Sequence, residues 1–206
     1  MTLSVRFEEA LTFAHQLHGD QCRKGTTVPF ISHLLAVTSI VLEHGAGEDE
    51  AIAALLHDAA EDQGGEVTLE EIRRRFGNTV AEIVEGCTDS WTEPKPPWRE
   101  RKEAFIASLR EASPSVCLVS AADKLHNART ILSDYRRLGE SLWPRFNGGK
   151  RGTMWYYRTL VDVLGSTGPE ELADELARVV SEIEYLVSEE PISHVAEMAE
   201  DVNQSG

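Results

Sequence analysis

The sequence is poor in cysteine. Its 206 residues hold three, Cys22, Cys87 and Cys117. The number is odd, the positions are scattered, and no C-x-x-C occurs. That argues against a disulfide framework and a cysteine-built structural zinc site, and three free thiols in a reducing cytoplasm are expected. Basic residues are scarce too: 20 Lys and Arg stand against 35 Asp and Glu, for a net charge of −15. A nucleic-acid-binding surface needs a basic face, so no nucleic-acid partner is expected. No stretch approaches the roughly 20 apolar residues of a membrane span, so no membrane association is expected either. The opening MTLSVRFEEA has no basic segment followed by an apolar run, and a signal peptide is not expected. Sustained strand alternation, internal repeats and low-complexity tracts are also missing.

What remains is ordinary for a globular chain: 41% hydrophobic and 27% charged residues. The length predicts one domain over 1–206, with a core of about 3–165 and an acidic helical extension of about 169–206. Residues 169–206 carry eleven acids and one base, Arg178, a net of −10 that leaves only −5 for the rest. That segment reads as a solvated helical face. Helical periodicity runs almost throughout. Helices are predicted from Val5 to near Gly19, from Ile31 to Leu42, and over 48–62 as one unit opened by three acids. Thr68 and Glu71 form a capping box for a short helix ending at Phe76-Gly77, and another helix covers 78–88. SWTEPKPP at 90–97, with three prolines, is a loop. Helix returns at 98–111. Ser113-Pro114 opens a long helix to Gly139. After a break at 144–149, helices over 151–164 and 169–188 finish the chain. The fold class is all-α, with about eight to ten helices.

Four separated residues stand out: His33, the adjacent pair His57-Asp58, and Asp123. Two imidazoles and two carboxylates complete a set of protein ligands for one divalent cation and suit Mn²⁺, Fe²⁺, Zn²⁺ or Mg²⁺. His57-Asp58 follows the apolar run IAALL, and Asp123 follows VCLVSAA. Ionisable residues emerging from buried faces need a partner, and a shared cation is one. His57 with Glu61, and Asp58 with Asp62, are spaced i,i+4 on the predicted helix. Asn127 stands i,i+4 from Asp123.

Four ordered blocks then match a family: AHQLHGDQCRKGTTVPFISHLLAV at 14–37, AALLHDAAED at 53–62, EEIRRRFGNTVAEIVEGCTD at 70–89 and SAADKLHNART at 120–130. The chain resembles the HD-domain metal-dependent phosphohydrolases, and within them the hydrolase domain of alarmone enzymes and small stand-alone alarmone hydrolases. The resemblance implies a single HD helical fold and removal of pyrophosphate from the 3′ position of (p)ppGpp or (p)ppApp. It implies one Mn²⁺ on His33, His57, Asp58 and Asp123, with Glu61 and Asp62 as the acids that handle the attacking water. It places Arg23-Lys24 on substrate phosphate and Asn127 on the nucleotide. A small-molecule nucleotide is thus the expected partner, the cytoplasm the expected place, and oligomeric state is left open. No synthetase or regulatory domain is recognised, so a bifunctional enzyme is not expected.

Two regions depart from the family pattern or add to it. The acid pair is followed by Gln63-Gly64-Gly65 where the family often has Thr. In EPKPPWRERK, any of Lys95, Trp98 or Arg99 fits the place of a substrate-binding lysine. Lys150-Arg151, ending NGGKRG, lead into Trp155 and Tyr156; charge for phosphate and rings for a base make these four substrate candidates. Competing functions are a phosphatase of another nucleotide, such as a 5′-nucleotidase or an NADPH 2′-phosphatase, and a non-catalytic nucleotide or metal sensor.

Overall fold

The computed structural model describes residues 2–90, 92 and 94–189. Among them are ten α-helices, a 3-10 helix at Gly139–Arg145 and no strand beyond an isolated bridge between Cys22 and Pro29. The helices are α1 Val5–Leu17, α2 Ile31–Glu43, α3 Glu48–Leu56, α4 Ala59–Asp62, α5 Gly65–Phe76, α6 Asn78–Cys87, α7 Trp98–Leu109, α8 Pro114–Leu138, α9 Gly149–Thr167 and α10 Glu170–Glu189. The all-α expectation holds. No described helix is long and apolar enough to cross a membrane.

The 25-residue α8 is the axis of the fold. Ser113 caps it by accepting from the Val116 N–H, and Pro114 fills the first turn, where a missing N–H costs nothing. Helices α2, α3, α6, α9 and α10 pack on it. Its run of Ser120, Ala121, Ala122 and Ala128 is buried and lets neighbours approach closely. Leu34, Leu55, Leu56 and Leu125 are fully buried around the predicted ligands. Each such leucine contributes about 1.5–3 kcal/mol by leaving water, so the helices that carry the ligands are held by their apolar neighbours.

Three local expectations need correction. The 48–62 helix is broken: α3 ends at Leu56 and α4 begins at Ala59. The His57 ring takes the Ala54 carbonyl at 2.8 Å, the group a continuous helix would give to the Asp58 N–H. Secondly, Thr68 is not a cap. Helix α5 starts at Gly65, after Gly64 at φ 111°, and the buried Thr68 hydroxyl donates back to the Gln63 carbonyl. A Cβ on Gly64 would stand 2.8 Å from that hydroxyl, so the sharp α4–α5 turn requires glycine there.

The third concerns the acidic segment. Within its described part, α10 buries Leu172, Leu176, Val180 and Ile183 against the core. Its acids also pair with neighbours: Glu175 with Arg129, Glu182 with Arg136, and Glu184 with Arg158. A purely solvated face was expected; an apolar stripe one turn apart, flanked by acids opposite the arginines of α8 and α9, docks the helix instead. Residues 190–206 lie outside the described part.

Candidate active site

Helix α2 supplies His33, the α3–α4 break supplies His57 and Asp58, and α8 supplies Asp123. His33 Nε2 lies 3.1 Å from Asp123 Oδ1 and 3.5 Å from Asp58 Oδ2. His57 Nε2 lies 3.1 Å from Asp58 Oδ2 and 3.6 Å from Asp123 Oδ1. Ligand atoms of His33, His57 and Asp58 all fall within 4.8 Å of one another, as a shared cation requires. Both imidazoles are buried, and neither Nε2 completes a hydrogen bond. Orphaned buried nitrogens are costly, and here they converge on carboxylates.

The far sides of both rings are held. His57 Nδ1 donates to the Ala54 carbonyl, so in the neutral ring Nε2 is the nitrogen with the lone pair. His33 Nδ1 pairs with His126 Nδ1 at 2.7 Å. Such outer contacts aim an imidazole at a metal. Asp123 is steadied as well: Lys124 reaches Oδ2 at 2.5 Å and Asn127 donates to Oδ1 at 2.6 Å. Burial works against ionised Asp58, but His57 and His33 hold it below the usual carboxylate range. For Asp123, Lys124 and the imidazoles likewise outweigh burial. Burial would lower the His57 pKa, yet the same carboxylates keep it well above its ordinary value. Two buried histidines and two ionised carboxylates around one point fit a divalent cation.

Beside the cluster opens a cavity of about 460 Å³. Glu61 and Asp62 line it, as do Lys124 and Asn127; the four candidate ligands are not among its lining residues. Burial first, and then the charges of neighbouring acids, raise both Glu61 and Asp62 above the ordinary carboxylate range. That suits groups that take up a proton more readily than an ordinary carboxylate. Asp62 also accepts from Gln21 at 2.8 Å, and Glu61 lies 3.4 Å from Lys95 Nζ.

The sequence candidates divide on this cavity. Arg23, Lys24, Asn127 and Tyr156 line it. Lys150, Arg151 and Trp155 do not: Lys150 pairs with Glu140 at 2.5 Å, Arg151 is exposed, and Trp155 lies under Arg99, 3.1 Å from the ring centroid. The helical period explains the split, since Thr153, Tyr156, Tyr157 and Leu160 face inward on α9 and residues 151 and 155 lie off that stripe. Of the three candidates in the proline-rich region, Trp98 lines the cavity and Lys95 reaches Glu61, whereas Arg99 pairs outward with Glu103 at 2.7 Å. Sequence reasoning passed over Arg101, Lys102, Lys124 and Arg145, all of which line the cavity. Arg101 and Lys102 are anchored on the buried Asp89 carboxylate at 2.5 and 2.6 Å. The available signal was WRERK following the prolines, a basic run on a helix that had to return over the site. His18 is buried against Gln21, and His126 meets His33.

The chain was compared with known proteins. The HD domain family model matches residues 10–153. The chain is 41% identical over 126 residues to a guanosine-3′,5′-bis(diphosphate) 3′-pyrophosphohydrolase of Xenopus tropicalis, covering 60% of this chain and 68% of the relative. The corresponding Homo sapiens protein is 40% identical over 127 residues, with the same coverage. One from Aquifex aeolicus is 39% identical over 125 residues, which make up 60% of this chain and 17% of that longer protein. A solved structure described as a metazoan ortholog of SpoT that hydrolyzes ppGpp superposes with a TM-score of 0.73 at 26% identity, over 89% of this chain and 98% of that one. A Listeria monocytogenes structure gives a TM-score of 0.64 at 29% identity, over 76% and 99%. By the extent of the family match and the likeness in both sequence and fold, the chain belongs to the HD domain family.

Proposed function

We propose that this enzyme hydrolyses the 3′-pyrophosphate of alarmone nucleotides, (p)ppGpp or (p)ppApp, with Mn²⁺, giving pyrophosphate and GDP or GTP, or the adenine equivalents. It is a metal-dependent phosphohydrolase of the HD family, and its similar relatives carry the name of a ppGpp 3′-pyrophosphohydrolase. One observation carries the reading: the two acids Glu61 and Asp62 border a cavity also lined by Arg23, Lys24, Arg101, Lys102, Lys124 and Arg145, beside the His–Asp cluster. A chain of net charge −15 gathers six cations at one opening, which suits a polyanionic substrate.

His33, His57, Asp58 and Asp123 would hold the cation, which supplies Lewis-acid polarisation of a phosphate oxygen and favours ionised water at neutral pH. Glu61 and Asp62 orient the attacking water and take its proton. The water oxygen forms a bond to the phosphorus attached to the 3′ oxygen. The P–O3′ bond breaks, and the 3′ oxygen leaves with a proton. Arg23 and Lys24 offset charge on the phosphoryl oxygens, and the cations of α7 extend that field. Tyr156 and Trp98 offer ring surface for a base.

The test is product identification. Purified, Mn²⁺-loaded protein is incubated with ppGpp, pppGpp, ppApp, NADPH and nucleoside monophosphates, and products are separated by ion-exchange chromatography. Release of pyrophosphate from ppGpp or ppApp is expected. Turnover confined to NADPH or monophosphates would reassign the substrate, and binding without turnover would make the protein a sensor.

A further inference from the structure

Gln21 sits in the loop between α1 and α2, outside the residues assigned so far. Its backbone is clamped: its N–H donates to the His18 carbonyl at 3.0 Å, and its carbonyl accepts from Phe30 N–H at 2.8 Å. Its side chain is clamped as well. Oε1 accepts from Gln63 Nε2 at 2.9 Å and meets His18 Nδ1 at 2.7 Å. Nε2 donates to Asp62 Oδ2 at 2.8 Å. An ionised carboxylate only accepts, so the amide has one orientation that satisfies all three partners: nitrogen to Asp62, oxygen to the two donors. His18 is then the Nδ1–H tautomer. That ring is buried and stacked on Phe30, centroids 5.0 Å apart at 20°, so the far end of the chain is fixed.

We propose that Gln21 is a positioning residue for Asp62: the His18–Gln21 pair, locked by Gln63, holds one carboxylate oxygen of Asp62 and leaves the other to face the attacking water. A free aspartate rotates about two bonds and presents either oxygen. Helix α4, which carries Asp62, has four residues and little stiffness of its own. The second hold therefore comes from across the cavity mouth, from Gln21. The inference rests on the reading of Asp62 as one of the two acids that handle water.

A double-mutant cycle tests it, with Mn²⁺-loaded protein and ppGpp as substrate. Wild type, Gln21→Met, Asp62→Asn and the double variant are compared for kcat, KM and metal content. Gln21→Met keeps side-chain length and removes the donor. It is expected to lower kcat about tenfold or more, the scale of groups that orient a reacting residue, with KM and metal content within about twofold of wild type. In the Asp62→Asn background the same change is expected to alter kcat by less than about twofold, because the group it positions is gone. Gln21→Glu keeps the shape and presents an acceptor to Asp62; the same loss is expected, and this variant carries the cycle if Gln21→Met does not fold. Equal losses in both backgrounds, or a change confined to KM or to melting temperature, would overturn the positioning role and leave Asp62 in place. Wild-type kcat in Asp62→Asn would overturn the reading of Asp62 itself.

Discussion

The Asn127 amide donates to Asp123 Oδ1 at 2.6 Å, from one turn further along α8. Its carbonyl accepts from Arg23 Nη2 at 2.5 Å. A cation lining the cavity is therefore joined, through one amide, to a carboxylate of the His–Asp cluster. Because Asp123 Oδ1 faces both imidazoles, 3.1 Å from His33 Nε2 and 3.6 Å from His57 Nε2, anything that loosens Asn127 loosens the cluster. The cavity lining and the geometry of the cluster are not independent here.

Asp58→Ala removes one of two charges that neutralise the cation. It leaves His57 Nε2 without its nearest carboxylate, 3.1 Å away. Metal affinity is expected to fall by more than about a hundredfold, beyond the range for residues that merely support a ligand, and activity is expected to vanish. Elemental analysis after dialysis reads the first, and pyrophosphate release the second. Full metal occupancy with wild-type turnover would take Asp58 out of the site.

Glu61→Gln separates chemistry from binding. The amide keeps the size and can still meet the Asp89 N–H, 3.4 Å from Oε2, but cannot take a proton. Metal content is expected to hold while kcat falls roughly 10²-fold or more, the range supplied by general-base catalysis. Metal loss at near-normal kcat would make Glu61 a ligand instead.

The helices and the His–Asp cluster were readable because each rests on short-range pattern. Apolar periodicity gives the helices, and His57-Asp58 after IAALL announces ionisable groups on a buried face. What escaped depends on contacts between distant segments. The break after Leu56 comes from a ring bonding its own backbone, which no periodicity reports. Lys150 and Trp155 look like a nucleotide site in sequence, but Glu140 draws Lys150 off at the start of α9, and the phase of the helix turns Trp155 away from the cavity while keeping Tyr156 in it. Arg101 and Lys102 look like a solvated basic run until Asp89, twelve or more residues earlier, is folded against them.

Gly148 tests the packing behind the cavity. A Cβ there would meet the Trp98 ring at 2.6 Å, and one on Gly152 would meet it at 3.0 Å. Gly148 and Gly152 thus let α9 approach the indole. Gly148→Ala is expected to destabilise by about 1–3 kcal/mol, the usual cost of overpacking. It is also expected to raise KM, because Trp98 and Tyr156 line the cavity together. A melting curve and a substrate titration check both effects.

Arg23 and Lys24 are neighbours with different surroundings, and single substitutions should tell them apart. Lys24 is exposed; its nearest polar contact is Asn147 Oδ1 at 3.5 Å. Lys24→Ala is expected to leave melting temperature and metal content unchanged, since an exposed charge contributes little to folding. It should weaken kcat/KM by about 1.5 kcal/mol, one charge-assisted contact. The loss should be larger on a 3′-pyrophosphate than on a monophosphate, which offers fewer oxygens. Arg23 is half-buried, lies 5.7 Å from the Phe30 ring centroid and holds Asn127. Arg23→Ala is expected to lose the phosphate contact and also free Asn127 to turn from Asp123, so Mn²⁺ affinity falls as well, by about tenfold, as for other groups that steady a ligand. Isothermal titration with Mn²⁺ in the absence of nucleotide isolates that second effect. Unchanged Mn²⁺ affinity in Arg23→Ala would mean that Asn127 keeps its place without the arginine, and that the cavity lining and the cluster work separately.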